Sequence, residues 1–125
     1  MPGRFAPEIP LPSYGFVPGR NERPAERELP TDAAFAYGVD CWNAGYYWEA
    51  HEAWETLWIE SRDPVLQGLI QCAAACVKLL QGNRDAFERV RTRALARLVE
   101  SQDYGDFAAA FASVDDLDDR PLLRT

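Results

Sequence analysis

Apolar residues recur every three or four positions along most of the chain after residue 30, which is the spacing of amphipathic α-helices. No segment shows the alternation of apolar and polar residues that is typical of a half-buried strand. The pattern predicts five helices: from Thr31 or Asp32 to about residues 43–45, and then over about residues 46–60, 64–81, 84–101 and 107–114. We therefore predict an all-α fold.

The third predicted helix is apolar on nearly every side, so it is expected to be the central and most enclosed element. Asp63 is its predicted N-cap, Pro64 suits its first position, and Gly82-Asn83 is its predicted C-terminal cap. For the first helix, Thr31 or Asp32 is the predicted N-cap. The elements predict a compact orthogonal bundle of about five helices built from two helix hairpins.

The first thirty residues differ from the rest of the chain, because they hold seven of its nine prolines. Proline fixes φ and removes a hydrogen-bond donor, which predicts an extended arm or a series of turns, with one turn at residues 17–19. Several apolar side chains suit docking on the helices, and the sequence leaves docking and disorder both open: Phe5, Ile9, Leu11, Tyr14, Phe16 and Val17. The predicted organisation is an arm over residues 1–30, one helical domain over residues 31–115, and an acidic, poorly ordered tail over residues 116–125.

Length and charge narrow the function classes. A chain of 125 residues has room for one domain with one core. Its net charge of −7 argues against nucleic acid and anionic membranes as partners. No apolar run approaches the roughly 18 residues that span a bilayer, and prolines interrupt the N-terminus where a secretion signal would lie, so we expect a cytoplasmic protein.

The three cysteines are predicted to be reduced thiols, because their number is odd and no secretion signal accompanies them. Cys72 and Cys76 lie one turn apart on the most apolar helix. We therefore expect both to behave as small core residues.

The second predicted helix concentrates the residue types that are typical of functional sites, because it contains three of the four tryptophans and the only histidine. His51 lies at the edge of its core face, and Glu55 follows one turn later on the same side. Trp48, Glu52 and Ile59 point away from that face and form a second side that needs a cover. The arm, the fifth helix or a second subunit could supply it, and in the last case the protein is a homo-oligomer through Trp48 and Ile59.

The third predicted helix carries a polar stripe of Gln67, Gln71 and Lys78. Such groups need partners if they are enclosed, and the edge of the second helix is the natural candidate. Lys78 would neutralise a glutamate there, and the amides would orient the imidazole. This predicts a semi-buried polar network between the two helices. Its members, which are also the candidate ligand-binding residues, are His51, Glu52, Glu55, Gln67, Gln71 and Lys78.

Four roles are open for this network: fixing the register of the two hairpins, holding a small polar or anionic ligand, holding a divalent metal, and acid–base catalysis. His51 with two carboxylates is a sparse ligand set, and the pattern lacks the second histidine of the zinc-protease helix, so no metal and no cofactor is predicted. No catalytic residue is assigned. The leading hypothesis is a non-catalytic interaction or small-ligand-binding module. The alternative is a metal-dependent or acid–base enzyme centred on His51, Glu52 and Glu55.

Two ordered blocks resemble a family of small bacterial and archaeal proteins, the domain-of-unknown-function family 309. The first is WNAGYYWEAHEAWETLW over residues 42–58; the second is LQGLIQ over residues 66–71, followed by Gly82-Asn83. The resemblance covers roughly residues 32–100. It implies a small all-helical fold, and because the family has no established activity it implies little about function.

The chain departs from this family at the end of the third helix. Many relatives carry one or two histidines at the positions of Val77 and Lys78, where they would join the histidine of the second helix around a metal. This chain has no histidine there. The resemblance therefore makes a histidine-based metal site less plausible here than in those relatives.

Overall fold

A computed structural model describes residues 3–125 of the chain as an all-α protein. Its five helices are α1 (Ala34–Ala44), α2 (Tyr47–Ser61), α3 (Pro64–Leu80), α4 (Arg84–Leu98) and α5 (Gly105–Phe111). Short 3-10 turns at Thr31–Ala33 and Leu117–Asp119 flank the bundle. The described residues contain no strand. The predicted fold class is confirmed, and each predicted helix has a counterpart.

Local capping residues fix both ends of α3. The carboxylate of Asp63 accepts a hydrogen bond from the backbone N–H of Val65 at 2.9 Å, and Pro64 is the first helical residue. At the other end Gly82 has φ of +83°, and the N–H of Asn83 bonds to the carbonyl of Lys78 at 3.0 Å. Both predicted caps of α3 are confirmed.

The start of α1 differs from its prediction. Neither Thr31 nor Asp32 caps the helix with its side chain. The backbone closes a 3-10 turn instead, in which the N–H of Ala33 bonds to the carbonyl of Pro30 at 3.1 Å. The turn leads directly into the helix, so the side-chain cap is not formed.

The core lies around α3, which packs against both α2 and α4, while α1 packs against α2. Fully buried side chains meet there from four helices: Trp42 of α1, Trp54 of α2, Leu69, Cys72 and Cys76 of α3, and Phe87 of α4. The cysteines are free thiols, and burial raises the pKa of Cys72 and of Cys76. Both behave as core residues, as predicted, and α3 is the central element.

The N-terminal arm is docked, and Asp40 of α1 anchors its start. This buried carboxylate accepts hydrogen bonds from the backbone N–H groups of Phe5 at 2.8 Å and Ala6 at 2.9 Å. The guanidinium of Arg4 donates to it at 3.2 Å. Three donors, one of them the Arg4 cation, therefore satisfy a charge that would otherwise be costly to bury.

The middle of the arm is tied to the end of α3. The predicted turn forms at residues 17–19, where the N–H of Arg20 bonds to the carbonyl of Val17 at 2.9 Å. The Gln81 amide donates to the carbonyl of Pro18 at 3.0 Å, and Arg20 donates to the carbonyl of Gln81 at 2.6 Å. Of the two alternatives left open by the sequence, docking is the one observed.

The C-terminal tail is also docked, whereas its acidic composition suggested poor order. Asn43 of α1 forms a pair of hydrogen bonds with the backbone of Leu123, at 2.8 and 2.9 Å, and the Leu123 side chain is buried. Arg120 donates to the carbonyls of Trp42 and Asn43. The reason is that the carbonyl of Asn43, at the end of α1, accepts no backbone hydrogen bond from the described residues, and the tail supplies a donor to it.

Candidate functional site

A cleft of about 540 Å³ lies between the arm and the outer side of α2. We call it the arm cleft. Its floor is formed by Trp48, Glu49, Glu52, Ala53 and Thr56 of α2 together with Tyr37 of α1, and its walls are formed by arm residues 8–14 and 23–30. The helix period explains the floor, since Trp48, Glu52 and Thr56 follow one another at intervals of four residues.

The arm supplies the cover that the second side of α2 was predicted to need. The ring of Phe16 meets the ring of Trp48 edge to face, with centroids 5.1 Å apart. Ile59 lies beyond the arm and is 57% exposed. The prediction of a homo-oligomer through Trp48 and Ile59 stays a prediction, and Trp48 already has a partner within the chain.

Glu49 is the most unusual group that lines the arm cleft. One carboxylate oxygen, Oε2, accepts a hydrogen bond from the backbone N–H of Phe16 at 3.0 Å. The other, Oε1, is enclosed and has no hydrogen-bond partner within residues 3–125. Burial raises the pKa of Glu49, and the backbone N–H groups of Phe16 and of Glu49 itself offset part of that effect. The group therefore has an unmet need for a donor or a positive charge.

The guanidinium group of an arm arginine lies over each of two aromatic rings of the cleft. The Arg23 guanidinium carbon lies 5.7 Å from the ring centroid of Trp48, and that of Arg27 lies 5.7 Å from the ring centroid of Tyr37. Arg27 also donates to the Tyr37 hydroxyl at 2.5 Å and to the carbonyl of Pro10 at 2.9 Å. The two arginines are the cations among the lining residues, against five glutamates: Glu8, Glu26, Glu28, Glu49 and Glu52. The cleft is therefore acidic and aromatic.

His51 is held by its own helix. Its Nε2 lies 3.0 Å from a carboxylate oxygen of Glu55, one turn along α2. Its Nδ1 is 3.5 Å from Glu52 Oε1 without hydrogen-bond geometry, and that nitrogen is enclosed and unpaired within the described chain. The ring of Trp48 packs beside the imidazole, with centroids 5.2 Å apart. The predicted neighbours on α2 are thus brought together around His51.

The polar network predicted between α2 and α3 is not formed. Gln71 accepts a hydrogen bond from Nε of Arg97 in α4 at 3.0 Å, and Lys78 is exposed. Among residues 3–125, no hydrogen bond or ion pair joins either glutamine or Lys78 to the carboxylates or the imidazole of α2. The physical reason is the close approach of α4 at Gly68, where a Cβ would lie 2.8 Å from Leu98. This approach brings Arg97 to Gln71.

The six candidate ligand-binding residues are therefore split between different surroundings. Glu52 lines the arm cleft, whereas the other five do not: His51, Glu55, Gln67, Gln71 and Lys78. Within the described part of the chain, no group of three or more histidine, cysteine, aspartate or glutamate side chains is arranged to hold a metal ion. The role of the six residues in ligand binding stays a prediction.

Comparison with known proteins identifies the central part of the chain. The sequence profile described as Domain of unknown function (DUF309) matches residues 35–90. Residues 35–90 belong to the DUF309 family. No curated protein and no solved structure matches the chain. The DUF309 segment holds α2 and α3 whole and so provides the floor of the cleft, whereas the arm walls lie outside it.

No helix in residues 3–125 has the length and apolar character needed to cross a membrane.

Sequence reasoning missed Arg23, Arg27 and Glu49, which line the cleft, and Asp40, which anchors the start of the arm. The signal for Asp40 was available, because a carboxylate between Val39 and Cys41 falls among core positions of α1 and needs partners. The signal for Glu49 was weaker, since its exposure depends on where the arm crosses α2. Nothing in the arm sequence distinguishes Arg23 and Arg27 from solvated arginines.

Proposed function

We propose that this chain is a non-catalytic module that binds a small molecule in the arm cleft. The observation that supports the proposal most directly is that Glu49, in the floor of that cleft, has an enclosed and unpaired Oε1. The cleft volume of about 540 Å³ also falls within the roughly 300–1,000 Å³ of small-molecule sites.

A ligand that donates a hydrogen bond to Glu49 would remove an energetic cost of the folded state. Leaving a buried acceptor without a hydrogen bond costs about 1–3 kcal/mol, and more when the group is charged. Natural sites retain such costs where a ligand supplies the missing donor. Trp48 and Tyr37 provide apolar and aromatic surface beside the carboxylate, so the cleft combines a large contact area with a polar group that fixes orientation.

The enzyme alternative centred on His51, Glu52 and Glu55 has weaker support. The His51 Nε2 is engaged by Glu55 at 3.0 Å, and of the three residues Glu52 alone lines the arm cleft. A general base must reach the proton that it removes. An imidazole outside the cleft does not meet that requirement for a ligand inside it.

The test fills the cleft with a large side chain and compares ligand binding by this variant with binding by a variant that carries the same substitution on an exposed surface. Thr56 lines the cleft, and its hydroxyl donates to the carbonyl four residues earlier at 3.1 Å. Thr92 is exposed on α4 and makes the same contact at 2.8 Å. Thr56→Trp places an indole in the cleft, and Thr92→Trp places one on the opposite hairpin. Saturation-transfer NMR then measures binding of four probe sets: aromatic and aliphatic organic cations, organic anions, neutral sugars and neutral aromatics.

We expect at least one set to bind both the unmodified chain and Thr92→Trp, and to lose at least tenfold in affinity for Thr56→Trp. The proposal is overturned if no set binds, or if Thr56→Trp retains full affinity for every probe that does. Circular dichroism of each variant shows whether the bundle is intact.

A further inference from the structure

Resting on the proposed function, we infer that the ligand of the arm cleft is a small molecule with a planar organic cation, a guanidinium or an amidinium. Its charged group takes the place of the Arg23 guanidinium on the face of Trp48. Its N–H groups bond to Glu49 and Glu52, which flank that face on α2.

The first support is that the cleft already holds two groups of this shape. The guanidinium carbons of Arg23 and Arg27 each lie 5.7 Å from an aromatic centroid, of Trp48 and Tyr37 respectively. The negative face of an indole or phenol ring attracts a planar cation at this distance. The contacts made by the arm therefore show that both rings accept a planar cation on their faces.

The two arginines are held with different strength, which identifies the one that leaves. Arg27 donates to the Tyr37 hydroxyl and to the carbonyl of Pro10, so it fastens one wall of the cleft to the other. Arg23 has one ion pair, with Glu26 at 3.6 Å, and those side chains are 54% and 89% exposed. Exposed pairs of this kind contribute little. A ligand cation therefore displaces Arg23 and leaves Arg27 in place.

The carboxylates beside Trp48 complete the site. Glu52 follows Trp48 by one helical turn, and Glu49, which also lines the cleft, has an enclosed and unpaired Oε1. A planar cation with N–H groups at its edge offers donors to both carboxylates, and such charge-assisted bonds are shorter and stronger than neutral ones. A neutral or anionic ligand would face five glutamates without this compensation.

The test uses three probes of almost identical shape that differ in charge: benzamidine, benzamide and benzoate. Isothermal calorimetry on the full chain is expected to show binding of benzamidine, with benzamide and benzoate at least tenfold weaker. Comparable binding of benzamide or benzoate would overturn the inference. The inference would also be overturned if none of the three probes bound while another probe set bound the original chain and lost affinity for Thr56→Trp. In that case the proposed function would still stand.

Variants test the displacement itself. Arg23→Ala frees the Trp48 face, so benzamidine is expected to bind roughly two- to tenfold more tightly. The matched control is Arg62→Ala, because Arg62 stacks on Trp58 of the same helix at 4.3 Å but lies outside the cleft. That change is expected to leave affinity within about twofold. Unchanged or weaker binding by Arg23→Ala would show that Arg23 is not displaced.

A charge-removing variant tests the role of Glu52. Glu52→Gln is expected to weaken the binding of benzamidine severalfold and to leave the binding of benzamide unchanged, since the change removes a charge and little volume.

A pair of guanidinium probes tests whether the ligand is a small molecule. Agmatine carries the guanidinium on a small molecule, and capped Gly-Arg-Gly carries it on a peptide. We expect agmatine to bind more tightly, and binding of the peptide as tight as that of agmatine would overturn the assignment to a small molecule.

Discussion

At the scale of single residues, Glu49 links the stability of the fold to its proposed site. Its Oε2 accepts a hydrogen bond from Phe16, and its Oε1 is enclosed without a partner in the part of the chain that the structure describes. Because burial raises the pKa of Glu49, the folded protein binds a proton there more tightly than the unfolded chain does. Ionisation of Glu49 at neutral pH is therefore a cost to folding.

Glu49→Gln tests this cost. The folded pKa lies above the unfolded value of about 4.3, so the stability contribution of Glu49 is present below the unfolded pKa and is lost as pH rises through the folded pKa. Glutamine keeps an acceptor for Phe16 and has no charge. We expect the variant to unfold at a higher temperature than the original chain at pH 7, and the difference to shrink towards pH 3.5.

The control is Glu88→Gln, an exposed change on α4, for which melting temperatures should agree with the original chain at both pH values. Scanning calorimetry at several pH values measures both variants. A Glu49→Gln protein that is less stable than the original at pH 7 would contradict this account.

Gly38 shows how tightly α1 and α2 are packed. A Cβ at this position would lie 2.2 Å from Nε1 of the fully buried Trp54, whose indole N–H donates to the carbonyl of Phe35. Alanine favours a helix by about 1 kcal/mol over glycine, yet we expect Gly38→Ala to lower the free energy of unfolding by about 2–4 kcal/mol, because overpacking forces the indole to move. Urea denaturation measures the loss. Gly105→Ala, whose Cβ would sit 3.5 Å from the nearest heavy atom, should leave stability unchanged or raise it by up to about 1 kcal/mol.

Residues that act locally were predictable, and residues whose partners come from distant segments were not. Asp63, Pro64 and Gly82 act within a few positions of their place in the sequence, so their types indicate their roles. Gln71 shares a face with Gln67 and was expected to meet α2, but its partner Arg97 is 26 residues away on α4. Which neighbour a half-buried amide meets depends on interhelical approach, and sequence spacing does not specify that.

At the scale of elements, the tail acts as a cap for α1. Arg120 donates to the carbonyls of Trp42, Asn43 and Leu117, and its guanidinium lies over the ring of Tyr47. The bond to Asn43 satisfies a carbonyl that the end of α1 leaves unpaired, whereas the carbonyl of Trp42 also accepts from the N–H of Gly45. An acidic tail thereby becomes part of the bundle through one basic residue.

Arg120→Ala is expected to lower the free energy of unfolding by about 1–3 kcal/mol, because it leaves the carbonyl of Asn43 without its donor and removes a second donor from the carbonyl of Trp42. Arg124, four residues later, is exposed and serves as the matched control. Arg124→Ala should change stability by less than about 0.5 kcal/mol. Denaturant titration of the two variants together decides the matter, and equal stabilities would mean that the tail does not cap α1.

The helices themselves were predicted to within about three residues at each end, and the last one lies earlier in the chain than predicted. The sequence placed α5 at residues 107–114, whereas it occupies Gly105–Phe111. Ser101 explains the shift, since its hydroxyl accepts from the N–H groups of Asp103 and Tyr104 and its carbonyl accepts from that of Gly105. A serine-centred turn starts the helix early, and hydrophobic periodicity alone does not reveal such a start.

At the scale of the whole molecule, the arm is fastened to three helices, and one span of it is held by side chains and not by its own backbone N–H groups. Asp40 of α1 holds its start, Glu49 of α2 holds Phe16, and Gln81 after α3 holds the turn at residues 17–19. Residues 22–28 form no backbone hydrogen bond through their own N–H groups in the part of the chain that the structure describes. This span carries Arg23, and it is held on either side of that residue: the carbonyl of Glu22 accepts from the Tyr14 hydroxyl, and Arg27 donates to Tyr37 and Pro10. A cleft whose displaceable cation lies between such attachments opens for a ligand without unfolding of the bundle.

Native-state hydrogen exchange followed by NMR tests this division directly. The amides of Phe5, Ala6 and Phe16 donate to carboxylates of the bundle, so they should exchange about a thousandfold or more slowly than free amides. Amides in residues 22–28 should exchange at nearly the unprotected rate. Addition of benzamidine should leave the first set unchanged, since its anchors do not move. If the amides of Phe5 and Ala6 exchange as fast as those of residues 22–28, the arm opens as a unit. Opening of the cleft would then require movement of the whole arm and not of Arg23 alone.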